Sequence, residues 1–192
     1  MDSINTVTMI AIVLALIAVV LAAYAISRTR RTARLQSQFG PEYDNVVHRE
    51  GNQSRAEAEL QNREARVKRF NIRPLSAHER ERFAESWRQQ QGRFVDDPRT
   101  AVLKADTLIT EVMTARGYPV SDFKTISEDL SVEHSHIIGS YRGAHEIAER
   151  SSRGTVETEE LRSAMISYRS LFEDLLGTRV VEPEREHVEV RR

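Results

Sequence analysis

The sequence predicts an all-α protein: an N-terminal transmembrane helix, a polar helical stalk, then a bundle of about four to five helices. Three observations predict it. Residues 7–26 form an apolar run without charge, proline or glycine. Between residues 74 and 177, apolar residues recur at spacings of three and four, the period of one helix face. No stretch alternates apolar and polar residues between turns as a strand does.

The run "VTMIAIVLALIAVVLAAYAI" comes first. At about 1.5 Å per residue, its length makes roughly 30 Å of helix, the thickness of a bilayer's hydrocarbon core. A domain of this size buries mostly one-sided helices, and this one is apolar all round. Residues 1–6 carry no Lys or Arg, whereas Arg28, Arg30, Arg31 and Arg34 follow the span. By the positive-inside rule these arginines stay in the cytoplasm, which predicts an outside N-terminus and an inside body. The same four side chains suit an anionic leaflet, each contributing about 1 kcal/mol of attraction, so the lipid bilayer is an expected partner.

A cleavable signal is the competing expectation, because "AYA" at Ala23–Ala25 has the small-x-small form of a cleavage site. The segment "MDSINT" holds Asp2 and no cation, and the apolar run exceeds the roughly 7–15 residues of a signal's core. A permanent anchor fits better, with a secreted helical domain as the alternative.

Residues 27–73 read as a basic juxtamembrane segment and stalk. Ser27 to Phe39 continues the helix with Leu35 and Phe39 on one side. In "FGPEYD", Gly40 ends one helix and Pro41 suits the first position of the next. "SRAE", Ser54 to Glu57, has the capping-box pattern and opens a polar helix to about Phe70. Its apolar stripe is only Ala56, Leu60, Val67 and Phe70, too thin for a core. The expectation is a solvated stalk or a helix resting on a neighbour, with self-association through residues 53–70 as the sharper alternative. A sustained heptad is absent.

Residues 74–177 form the bundle. Pro74 ends the stalk, Ser76 and Glu79 make a capping box, and Phe83, Trp87 and Phe94 lie on roughly one face. In "DDPRTAVLKADTLITEVMTARGYP", Asp97 is the N-cap and Pro98 the first helical residue. Ala101, Val102, Ala105, Leu108, Ile109, Val112 and Met113 make the stripe, and Gly117 supplies the left-handed stop. A short helix spans 121–130 with Phe123, Ile126 and Leu130 inward. A longer one runs from about Glu133 to Ser152, burying Ile137, Ile138, Tyr141, Ala144 and Ala148. The last begins at Thr158 as cap, carries Leu161, Met165, Tyr168, Phe172 and Leu175, and stops at Gly177. Residues 178–192 read as a charged, disordered tail.

Composition narrows the function classes. Aromatics are 6% and charged residues 30%, a balance that suits helices with wide solvated faces. Residues 93–177 carry ten cations against fifteen anions, so the body lacks the basic surface that phosphate backbones demand and nucleic acid is not an expected partner. Without cysteine there are no disulfides, thiolate nucleophiles or thiolate metal sites.

The places where chemistry can sit are few. His134, His136 and His145 invite a metal reading, but i and i+2 on a helix face apart and the His-Glu-x-x-His order is missing. Asp96 and Asp97 are explained by capping. Arg116 and Tyr118 in "RGYP", with His145, form the one speculative surface site. No nucleophile elbow or phosphate-binding glycine loop is present. No catalytic residue, cofactor or metal is assigned, and an enzyme is unsupported.

The span ending in arginines, "FGPEYD", "RPLS", "RFVDDP", "VMTARGYP" and "TEELRSAMISYRSLFEDLL" together resemble a functionally uncharacterised family of small bacterial single-pass membrane-anchored helical proteins. The resemblance covers residues 7 to 177. It implies a bacterial origin, which with the arginine flank makes the bacterial cytoplasmic membrane the expected location, and a helical architecture of conserved length; it brings no catalytic residues. The leading expectation is a membrane-tethered adaptor or scaffold with a protein partner. The rival is a small-molecule binder or enzyme with a pocket between bundle helices around Arg116, Tyr118 and His145.

Overall fold

The computed structural model describes residues 2–119, 121–154 and 156–177. Among them every regular element is a helix and there is no strand. The chain divides into two compact units, Met1–Ala65 and Arg66–Arg192. The charged tail lies outside the described residues.

The first unit opens with α1, Asp2–Phe39, one unbroken helix that carries the apolar run and the arginines after it. It is long and apolar enough to cross a membrane, and no part of its apolar window is covered by protein. At Gly40 the chain takes a positive φ of 47° and Pro41 starts α2, Pro41–Glu50, as its first residue. Gly51, at φ 63°, stops α2 in the left-handed conformation that favours glycine. The third helix, α3, is Gln53–Val67. Its first amides are taken by Asn52 Oδ1, which accepts from Ser54 N and Arg55 N at 2.9 and 3.2 Å. Asn52 is therefore the cap, and Ser54 is not. Glu57, read from sequence as the reciprocal half of a capping box, turns instead toward α1 and α2.

Of the two readings of this stretch, α3 follows the helix resting on a neighbour. Residues 24–34 of α1 meet residues 53–64 of α3 in the same chain order, so α2 runs back and α3 runs forward again alongside α1. Leu35, Phe39, Tyr43, Val46, Ala56 and Leu60 are all buried. The apolar stripe of α3 is thus used inside the chain, and its exposed faces are polar. The stripe is thin because much of what α3 buries is charged.

The second unit holds α4 (Ala77–Asp96), α5 (Pro98–Arg116), α6 (Phe123–Leu130), α7 (Ile138–Arg153) and α8 (Thr158–Leu176). Helix α5 packs against α4, α7 and α8, and its stripe from Ala101 to Met113 is buried along its whole length. Trp87 of α4 stacks on Phe172 of α8 with ring centroids 4.8 Å apart. Phe94 is only partly covered. The capping box at Ser76 and Glu79 is complete, and Asp97 caps α5 through Thr100 N.

Three helix starts differ from expectation: α6 begins at Phe123, with Asp122 as its cap, and two others are shifted further or capped differently. Helix α7 begins at Ile138, because Ser131 to Ile137 forms turns, held by His134 N to Leu130 O and by the side chain of His134. Helix α8 is preceded by Glu157 as its N-cap residue, which makes no side-chain capping bond, so Thr158 is already helical.

Gly117 closes α5 at φ 96°, its amide reaching Met113 O and Thr114 O. A Cβ there would also collide with the backbone carbonyl of Asn71. Strain and overlap act together, so Gly117→Ala should destabilise the second unit by about 2–4 kcal/mol. Equilibrium denaturation of the full chain in detergent, followed by the fluorescence of its single tryptophan, Trp87, measures this.

Candidate functional site

The four arginines after the span do not share one fate. Arg34 lays its fork on Glu64, with Nη1 to Oε1 and Nη2 to Oε2 both at 2.9 Å. Arg31 Nε lies 3.3 Å from Glu57 Oε2. Arg28 and Arg30 have no carboxylate partner among the described residues. Two of the four charges are therefore neutralised within the unit.

Glu57 is where the three helices of the first unit meet. Its Oε1 accepts from Thr32 Oγ1 of α1 at 2.7 Å, from the Tyr43 hydroxyl of α2 at 3.1 Å and from Gln53 Nε2 at 2.9 Å. Burial works to raise the pKa of this carboxyl, but those three donors and Arg31 outweigh it and hold the value below the ordinary one. Burial and the same carboxylate push the Tyr43 hydroxyl up, so it remains a donor.

A second pair is buried more deeply. The Arg63 side chain is fully covered, as is that of Glu42; Arg63 Nη1 donates to Glu42 Oε1 and Nε to Glu59 Oε1, both at 3.0 Å. Removing one partner of such a pair costs about 3–5 kcal/mol, because the other charge is left desolvated. Sequence reasoning passed over these groups. The signal available was the spacing: Glu57 and Glu64 lie seven apart on one face of α3, opposite Arg31 and Arg34, three apart on α1.

In the second unit Arg116 and Tyr118 come together, and His145 does not join them. The Tyr118 hydroxyl donates to Glu133 Oε2 at 3.0 Å, and Arg116 reaches the same oxygen at 4.0 Å with its guanidinium 5.9 Å from the Tyr118 ring centroid. Burial, then the charge of Glu133, raises the Tyr118 pKa above the phenol's usual value, so this hydroxyl stays a donor. Beside it, buried His134 places Nδ1 2.5 Å from Asp174 Oδ2, and His136 Nε2 lies 3.8 Å from that oxygen. Arg116 and Asp174 also line an open cleft of about 530 Å³ with Leu75, Arg80 and Gly177.

His145 belongs to another constellation. Its Nδ1 is 3.1 Å from Asp106 Oδ1, its ring stacks on Phe123 at 3.6 Å, and the Tyr168 hydroxyl donates to the same Asp106 oxygen at 2.8 Å. Asp106 precedes Arg116 by ten residues on α5, or about 15 Å along the helix. Burial, then Asp106, raises the Tyr168 pKa, which leaves it a donor tying α8 to α5. Among the described residues no group of three or more His, Asp or Glu side chains is arranged to hold a metal ion.

No family model, curated protein or solved structure matches the chain.

The depressed pKa of Glu57 fixes a sign. Its contribution to stability is complete above the pKa of a free glutamate, about 4.3, and is lost as the pH falls through the lower folded value. Amide hydrogen exchange of the full chain in micelles should show α3 loosening on acidification through that window. At pH 7, Glu57→Gln should speed exchange in α3 about tenfold, the loss of charge-assisted hydrogen bonds to a buried acceptor.

Proposed function

We propose that the chain is a single-pass membrane protein that holds its helical units at the inner face of a bacterial cytoplasmic membrane, where they serve as a tethered adaptor for a protein partner. One observation carries the anchor: the large apolar side chains between Met9 and Ile26 are each 50 to 66 per cent exposed. Leaving them in water forfeits on the order of 20 kcal/mol of burial, and a bilayer supplies what the protein does not.

Retention of the span is favoured by local structure. The "AYA" triplet lies in mid-helix, where the carbonyls of Ala23 and Ala25 accept from Ser27 Oγ and Thr29 Oγ1. Cutting there requires unwinding α1. The inside placement of the body rests on the arginines after the span and the absence of cations before it.

The adaptor reading is supported by how the reactive side chains are used. Tyr118, Tyr168, His134 and His145 all spend a polar atom on a carboxylate within the unit. Such groups tie helices together and leave the exposed helix faces for a partner.

Alkaline carbonate washing of membranes should leave the wild-type chain in the pellet. The double substitution Leu14→Arg and Ile17→Arg, each costing about 3 kcal/mol of insertion free energy, should release it. In intact spheroplasts a C-terminal tag should resist protease and become sensitive on permeabilisation. Release of the wild type by carbonate, or digestion of the tag without permeabilisation, contradicts the proposal.

A further inference from the structure

Just beyond the apolar run, α1 and the start of α3 enclose a small polar pocket of about 260 Å³ lined by Tyr24, Ser27, Arg28, Arg31, Ser54 and Glu57. A second hollow, on the other side of Arg28, reaches Thr32 and Gln53. Both lie within the first unit.

The pocket has the chemistry of an anion site. Arg28 has no internal partner, and its like-charged neighbour Arg31, three residues on, is an unfavourable companion on a helix. Arg31 Nε is covered and makes no hydrogen bond, although it is ion-paired with Glu57 at 3.3 Å. The Ser54 hydroxyl has no acceptor among the described residues. Glu57 does not repel an incoming anion on balance, because Arg31 offsets its charge and three donors occupy its Oε1. Arg28 is left as one net positive charge. The amides at the start of α3 are satisfied by Asn52, so the arginines and the serine carry the site.

Depth identifies the anion. With the run ending at Ile26 in hydrocarbon, Arg28 and Arg31 lie about 3 and 7.5 Å further along the helix, within the headgroup layer. Tyr24, at the boundary, has the amphipathic ring that interfaces favour. On the helix face below Arg28, Tyr24, Leu21 and Ile17 are exposed, a continuous apolar path for an acyl chain. We infer that this pocket binds the phosphate of an anionic phospholipid, with Arg28, Arg31 and Ser54 on the headgroup and the acyl chain lying along α1. The inference rests on the anchor reading above and adds to it a defined lipid site.

The test uses the full-length chain in an uncharged detergent, titrated with phosphatidylglycerol or phosphatidylcholine and read by native mass spectrometry. One phosphatidylglycerol should be retained per chain in preference to phosphatidylcholine. Arg28→Gln should weaken it about five- to tenfold, the loss of one basic residue's attraction, whereas Arg30→Gln, outside both hollows, should leave it unchanged. Equal loss in the two variants means diffuse attraction and overturns the site. So does equal retention of phosphatidylcholine. Displacement of the lipid by millimolar inorganic phosphate makes the pocket a free-anion site and overturns the lipid assignment. Carbonate washing of the same proteins separates the two readings: an integral wild type indifferent to Arg28 sinks this inference alone, and an extractable wild type sinks both.

Discussion

A single carboxylate, that of Glu57, organises the first unit. It is desolvated, so it must be satisfied, and its donors come from all three helices: Thr32 and Arg31 on α1, Tyr43 on α2 and Gln53 on α3. A hydrophobic contact tolerates sliding, whereas a buried carboxylate with four partners does not. The register of α3 against α1 follows from it, and with that register the position of Arg34 over Glu64 and the isolation of Arg28. Arg63 and Glu42 repeat the principle one level away, joining α3 to α2 through a fully covered ion pair. Such pairs contribute little net stability, but a wrongly placed helix leaves bare charges inside, and that penalty selects one arrangement.

The second unit is organised differently. Its core is a continuous apolar cluster around α5, and the polar groups it buries join helix ends and faces: Asp106 takes both Tyr168 of α8 and His145 of α7, and Asp174 takes His134 from the turn before α7. The aromatic hydroxyls are held neutral by burial and remain donors, which suits joints between helices and not proton transfer.

Legibility in the sequence followed the range of the interactions. Helix α5 was readable at both ends because Asp97, Pro98 and Gly117 act within one turn, and the capping box before α4 is equally local. Apolar periodicity placed the buried faces of α5 and α8 for the same reason. The start of α7 was not readable, because Glu133 to Ile137 is held by a bond from His134 to a residue forty positions away. Nor was the packing of α3, whose binding groups are polar and whose partners on α1 and α2 lie 14 to 30 residues distant. The site suffered most from this: the stretch that brings Arg116 to Tyr118 is local, whereas the placement of His145 depends on Asp106, 39 residues earlier.

The unbroken passage of α1 from its apolar run into the first unit has a mechanical consequence. A helix has no soft joint unless proline, glycine or an inserted group supplies one, and between Val7 and Phe39 there is none. Any shift or rotation of the apolar run is therefore also a shift or rotation of Arg28, Thr32 and Leu35. Glu57 passes it to α3, since its bonds hold only at one rotation of α1. The first break in the helical path after the apolar run is at Gly40, where φ turns positive, beyond the residues that bind α1 to α3. A chain with a free joint after that run would place a glycine or proline directly behind it; this one postpones the break until the helix has been locked against its neighbours.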